Sequence, residues 1–120
     1  MIYHITTPVE WTMAQERGSY VAPSLDNEGF IHCSTLEQVI PVANAFYRHE
    51  DKLILLCIDT DKLKAPLKWE APAHPDGEPP ANADDQQFPH IYGEINLDAV
   101  VNLVTIATND TEFVLPEGLE

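Results

Sequence analysis

The spacing of apolar positions changes several times along the chain, and each change marks an element. "IYHIT" (Ile2 to Thr6) has strand character. Alternate residues of a strand share a face, so His4 and Thr6 lie together. "TPVE" then carries a helix start, with Thr7 as N-cap, Pro8 as first helical residue and Glu10 as reciprocal partner in a capping box. The predicted helix runs from about Pro8 to Arg17, with Val9, Met13 and Ala14 as apolar contacts and Trp11 nearby. Gly18 fits its end, where a left-handed backbone favours glycine. "SYVAPSLDNE" reads as turn-rich and leads into a short strand, "GFIHCS". "STLE" is a second capping box, with Ser34 as N-cap and Glu37 as its partner. The helix after it bears Leu36, Val39, Ile40, Ala43, Phe46 and Tyr47 on one stripe, and Pro41 is expected to kink or divide it.

"KLILLCIDT" (Lys52 to Thr60) is apolar on both faces, the pattern of a central strand, and "LKWEA" reads as a shorter strand. Ala71 to Gln87 contains Pro72, Pro75, Pro79 and Pro80 and predicts an irregular surface loop. "FPHIYGEI" (Phe88 to Ile95) resumes as a strand that starts at, or exposes an edge through, Pro89. "AVVNLVTIAT" (Ala99 to Thr108) is a final β-branched strand before a short tail. The pattern predicts one α+β domain over residues 1–120, with about five or six strands and two main helices near the N-terminus.

Charge narrows the function classes. Twenty acids against six Lys and Arg give a net charge of -14. Such a field repels phosphate backbones and anionic membranes, so neither a nucleic acid nor a membrane surface is an expected partner. No apolar run is long enough to span a bilayer, and the start of the chain carries no basic stretch followed by an apolar core. The expected compartment is the cytoplasm, with Cys33 and Cys57 as free thiols.

Three separate segments present a histidine beside hydroxyl or aromatic groups. Strand alternation puts Phe30, His32 and Ser34 on one side of "GFIHCST" and Ile31 and Cys33 on the other, so Cys33 is expected in the core. In "FPHIYGEI", Phe88, His90, Tyr92 and Glu94 share a face. A His, Tyr, Ser and Thr set can hold sugar hydroxyls or move protons near neutral pH. It can equally consist of histidines and tyrosines that satisfy and fill a core. Compact metal-ligand spacing, a glycine-rich phosphate loop and a GxSxG elbow are all absent from the sequence, and no metal is assigned.

"YHI", Trp11 with Ala14, Gly18 and Tyr20, Ser24-Leu25, "EGFIHCS", "LLCID" and "FPHIYG" together resemble a bacterial family of small proteins, domain of unknown function 952. The likeness spans about residues 3–108. It implies a remote kinship with ADP-ribosyltransferases, whose split β-fold clasps NAD between two small sheets. On that resemblance His4 and Thr6 match a first, ribose-contacting motif, and "GFIHCS" matches a second, with His32 in place of an aromatic. "PHIYGE" falls near a third, usually acidic, motif, with His90, Tyr92 or Glu94 as candidates. The implied catalytic residues are His32, His90 and Glu94, and the implied ligand contacts are His4, Thr6, Tyr20, Ser34 and Tyr92. NAD or ADP-ribose is the implied substrate or ligand. The chain departs from the superfamily pattern where Ile5 follows His4, a place where many members have glycine, and where Glu94 follows Gly93. A small-molecule binding module and an interaction protein remain the other readings.

Overall fold

The computed structural model describes residues 1–47, 52–70, 87–109 and 112–113. Strand β1 (Ile2–Thr6) pairs antiparallel with β4 (Lys52–Ile58), and β4 pairs antiparallel with β8 (Val100–Asn109), which a short β9 (Glu112–Phe113) extends. This four-stranded sheet has the order β1-β4-β8-β9. A second sheet has the order β3-β6-β5, from β3 (Ile31–His32), β6 (Phe88–Ile91) and β5 (Leu67–Glu70). A two-stranded ribbon joins β2 (Ser19–Tyr20) to β7 (Ile95–Asn96). Among the described residues, the fold is thus a small mixed domain of antiparallel sheets and three α-helices.

Helix α1 (Pro8–Arg17) has the predicted bounds. Thr7 Oγ1 accepts the Glu10 amide at 3.3 Å, Pro8 takes the first turn, and Gly18 closes the helix at φ 94°. The Glu10 side chain does not complete the capping box; its carboxylate turns toward Tyr20 and stands 3.3 Å from Tyr20 Oη. Ala14 is buried and Trp11 packs on the core, whereas Val9 and Met13, expected as core contacts, are exposed.

The turn-rich reading of "SYVAPSLDNE" is corrected by β2 and by helix α2 (Pro23–Glu28). Pro23 sits at the start of α2, and Gly29 ends it at φ 90° with its amide on the Leu25 and Ser24 carbonyls.

Helix α3 (Leu36–Phe46) is capped by Thr35 and not Ser34. Ser34 still belongs to the sheet: its amide donates to the Tyr3 carbonyl at 2.7 Å, and its carbonyl accepts the Tyr3 amide at 2.9 Å. The helix can start only after that bridge. Gln38 is therefore the reciprocal partner, accepting the Thr35 amide at 2.9 Å through Oε1, while Glu37 is exposed. Pro41 is exposed and does not divide α3, which continues to Phe46.

The central position of β4 explains its apolar run. Leu53 and Leu55 face α3 with Ile5, Val39, Ala43 and Ile106, while Leu56 and Ile58 face the opposite core with Ile2, Ala14 and Tyr20. Burial of each such side chain contributes roughly 1.5–3 kcal/mol. The strand ends at Ile58, short of Thr60, because Asp59 Oδ1 accepts the Asp61 amide at 2.9 Å and turns the chain. β8 begins at Val100, since Ala99 closes a 3-10 turn (Leu97–Ala99).

"FPHIYGEI" is not one strand. β6 stops at Ile91, the chain turns through Tyr92 and Gly93, and β7 joins a different sheet. A Cβ at Gly93 would lie 3.0 Å from the Ala65 Cβ, so the turn packs where a larger residue would crowd. Nearly all of the predicted proline-rich loop lies outside the described residues, as do His49, His74 and most of the C-terminal tail. Among the described residues, no helix is long and apolar enough to cross a membrane.

Candidate functional site

β1 and β3 bring the first two histidines together from different sheets. His4 and Thr6 project from one face of β1 toward Tyr20, which the Gly18 turn places on β2. His4 Nδ1 lies 2.6 Å from the His32 backbone carbonyl, and its Nε2 lies 2.8 Å from Tyr20 Oη. A carbonyl can only accept, so Nδ1 carries the proton of the neutral ring, and Nε2 accepts from Tyr20. Thr6 Oγ1, at 2.9 Å, then donates to Tyr20 Oη. The result is a directional chain, Thr6 to Tyr20 to His4 to the His32 carbonyl.

All three side chains of that chain are at most 5% exposed. Burial lowers the His4 pKa to about 4, so the ring is neutral at physiological pH. Burial first, and the Glu10 charge with it, pushes the Tyr20 hydroxyl well above its ordinary value, and the same two causes raise Tyr47. Glu10 thus projects a negative field onto both phenols.

A cleft of about 230 Å³ opens beside this chain. His4, Thr6, Glu10, Tyr20, His32 and Tyr47 line it, with Ser24 on the α2 side. His32 is half exposed, and its Nε2 lies 2.7 Å from Glu28. Cys33 points into the core as expected, and burial raises its thiol pKa far above neutrality, so it is no nucleophile.

The remaining candidates lie elsewhere. His90 and Tyr92 do not line the cleft; they converge on Glu70, an acid that no motif in the sequence marks. Glu70 Oε1 accepts from His90 Nδ1 at 2.9 Å and from Tyr92 Oη at 2.5 Å. Those two hydrogen bonds hold the Glu70 carboxyl below its ordinary pKa, and Glu70 in turn raises that of Tyr92. Phe30 stacks on His90 at 4.3 Å between centroids, and the His32 ring meets His90 edge-on at 5.3 Å. His32 is therefore the residue common to the cleft and this second cluster. His90 Nε2 is buried without a partner among the described residues.

Glu94 is turned away by the break after β6 and accepts a hydrogen bond from Ser19 Oγ at 2.9 Å on the surface. Ser34 is buried in its bridge to Tyr3 and is absent from the cleft lining. Strand alternation in "LKWE" puts Lys68 and Glu70 on one face, but only the register of β5 against β6 shows that this face meets His90. Among the described residues, no three His, Cys, Asp or Glu side chains gather as a metal-binding group.

The family pattern described as "Protein of unknown function (DUF952)" matches residues 5–103. The chain belongs to the DUF952 family. It is similar to the crystal structure of protein CC0527 from Caulobacter crescentus, with 28% identity and a TM-score of 0.75 over 94% of this chain and 92% of that one. A solution NMR structure of CC0527 aligns with 28% identity and a TM-score of 0.71, covering 92% of this chain and 89% of the other. No curated protein matches the chain.

Proposed function

We propose that this member of the DUF952 family binds a small hydroxylated ligand, a ribosyl group in particular, in the cleft between β1, β2 and β3. The observation that carries the reading is the fixed Thr6–Tyr20–His4–His32 hydrogen-bond chain along one wall of that cleft. Preorganised hydroxyl and imidazole groups recognise sugar hydroxyls at little ordering cost. At about 230 Å³ the cleft is below the roughly 300–1,000 Å³ of sites for drug-sized ligands, so it suits a sugar with part of its substituent. Among the described residues, no Lys or Arg lines it to meet the pyrophosphate of a whole dinucleotide.

The finer reading is ADP-ribosyl-type transfer or hydrolysis on NAD or an ADP-ribosylated group. Glu94 cannot serve it from its surface position, but Glu10 brings a carboxylate into the cleft. A carboxylate there would stabilise positive charge developing on the ribose as its bond to the leaving group breaks. The half-exposed His32 side chain would orient the sugar from beside the hydrogen-bond chain.

A thermal-shift series with ribose, nicotinamide riboside, ADP-ribose and NAD tests the reading. A native-state ligand raises Tm. The rise should be present in the wild type and smaller in His32→Ala, whose half-exposed side chain can be removed without opening the core. No shift with any ribosyl compound would overturn ribosyl binding. Nicotinamide release from NAD, abolished by Glu10→Gln, is the corresponding test of catalysis.

A further inference from the structure

Among the described residues, Glu10 is the one carboxylate that lines the cleft, and no described cation compensates it. Among the described residues the lining includes no Lys or Arg, and burial keeps His4 neutral. His32 is already taken by Glu28. Lys68 is on the other cluster, above the Tyr92 ring.

The proton count at Tyr20 sharpens the point. Three groups surround Tyr20 Oη: His4 Nε2 at 2.8 Å, Thr6 Oγ1 at 2.9 Å and Glu10 Oε2 at 3.3 Å. The phenol has one proton. The His32 carbonyl fixes the His4 tautomer, so His4 Nε2 is a buried lone pair that needs that proton. Glu10 is only half-buried and can turn to water, so the shorter contact to His4 wins. Glu10 Oε2 and Tyr20 Oη then stand 3.3 Å apart with no hydrogen between them. Two electron-rich oxygens in this position repel, and a cation or cationic N–H donor seated against both would convert the repulsion into attraction.

We infer that the cleft selects a positively charged, hydroxylated ligand, with Glu10 as the residue that determines the preference. This deepens the ribosyl reading by naming the charge of the ligand. Two kinds of molecule share the chemistry: a riboside of a cationic ring and an amino sugar. Neutral and anionic sugars of the same shape lack the attraction. The overall charge of -14 acts in the same sense over longer range.

The test uses two pairs of probes that differ only in charge at nearly constant shape. One is nicotinamide riboside against its reduced, uncharged dihydro form, and the other is glucosamine against glucose. Calorimetric Kd values are measured for the full chain and for Glu10→Gln, which keeps the side-chain length and leaves His4, Tyr20 and Thr6 in place. In at least one pair the cation should bind about tenfold more tightly to the wild type. Glu10→Gln should erase that preference, and NaCl at about 0.5 M should reduce it. The responding pair identifies the source of the charge. A response from the amino sugar alone supports the charge preference and overturns the ribosyl reading. Equal affinities within both pairs, with the ribosides bound, overturn the charge preference and leave the ribosyl reading standing. A preference that survives in Glu10→Gln overturns the role of Glu10. Binding of no probe overturns both.

Discussion

The burial of His4 makes the stability of the fold depend on pH in the mildly acidic range. The His4 pKa falls from 6.5 to about 4 on folding because burial penalises the charged ring. Between those values the unfolded chain binds a proton that the folded chain does not, so stability rises with pH. The contribution is fully present above about pH 6.5 and is lost as the pH falls toward 4; it amounts to on the order of 3 kcal/mol. Denaturant titrations should therefore show stability dropping over that window, with a visibly shallower slope in His4→Gln. An equal slope in both proteins would mean that His4 is charged in the folded state. At the second cluster, Glu70 raises the pKa of Tyr92 by accepting its hydroxyl and by its charge. Glu70→Gln should let the Tyr92 ring titrate at lower pH, followed by NMR, while the His4 signals stay unchanged. These two residues also show what one-dimensional reading can reach. His4 and Thr6 were legible from strand alternation alone, as was the split between His32 and Cys33. Glu70 was not, because its meaning depends on a strand register set across a long connection.

Helix signals were most legible where they were purely local. Thr7, Pro8 and Gly18 bound α1 correctly because each acts on its own backbone. α2 carries the same marks in Pro23 and Gly29, but six residues are too few for an apolar period to emerge. Ser34 and Thr35 were indistinguishable as caps by sequence, since the deciding contact is the distant Tyr3 backbone. Pro41 tests the energetics of α3. A proline inside a helix costs about 3 kcal/mol relative to alanine, of which about 1 kcal/mol is offset by stiffening of the unfolded chain. The side chain at position 41 is exposed, so alanine meets no steric obstacle. Pro41→Ala should stabilise the protein by about 2 kcal/mol in urea unfolding. A loss of stability would show that the proline ring makes a packing contribution larger than its backbone cost.

The whole molecule was legible as α+β with a central apolar strand and two principal helices, and β4 does lie between two cores. The division into separate sheets was harder to read, because Gly93 breaks an apparently continuous strand and sends Glu94 to another surface. That division has a dynamic consequence. Among the described residues, the backbone of the four-stranded sheet meets that of the β3-β6-β5 sheet through the reciprocal pair of Tyr3 and Ser34. His4, from the four-stranded sheet, and His32, from the β3-β6-β5 sheet, flank this pair directly in sequence or within two residues of it. The amides of Tyr3 and Ser34 therefore gauge the separation of the sheets. They should exchange with deuterium sooner than the amides in the middle of β4, which open only with the core. A ligand that touches both sheets should slow those two amides selectively, making a pair of main-chain protons the reporter of occupancy for a site whose chemistry belongs to side chains.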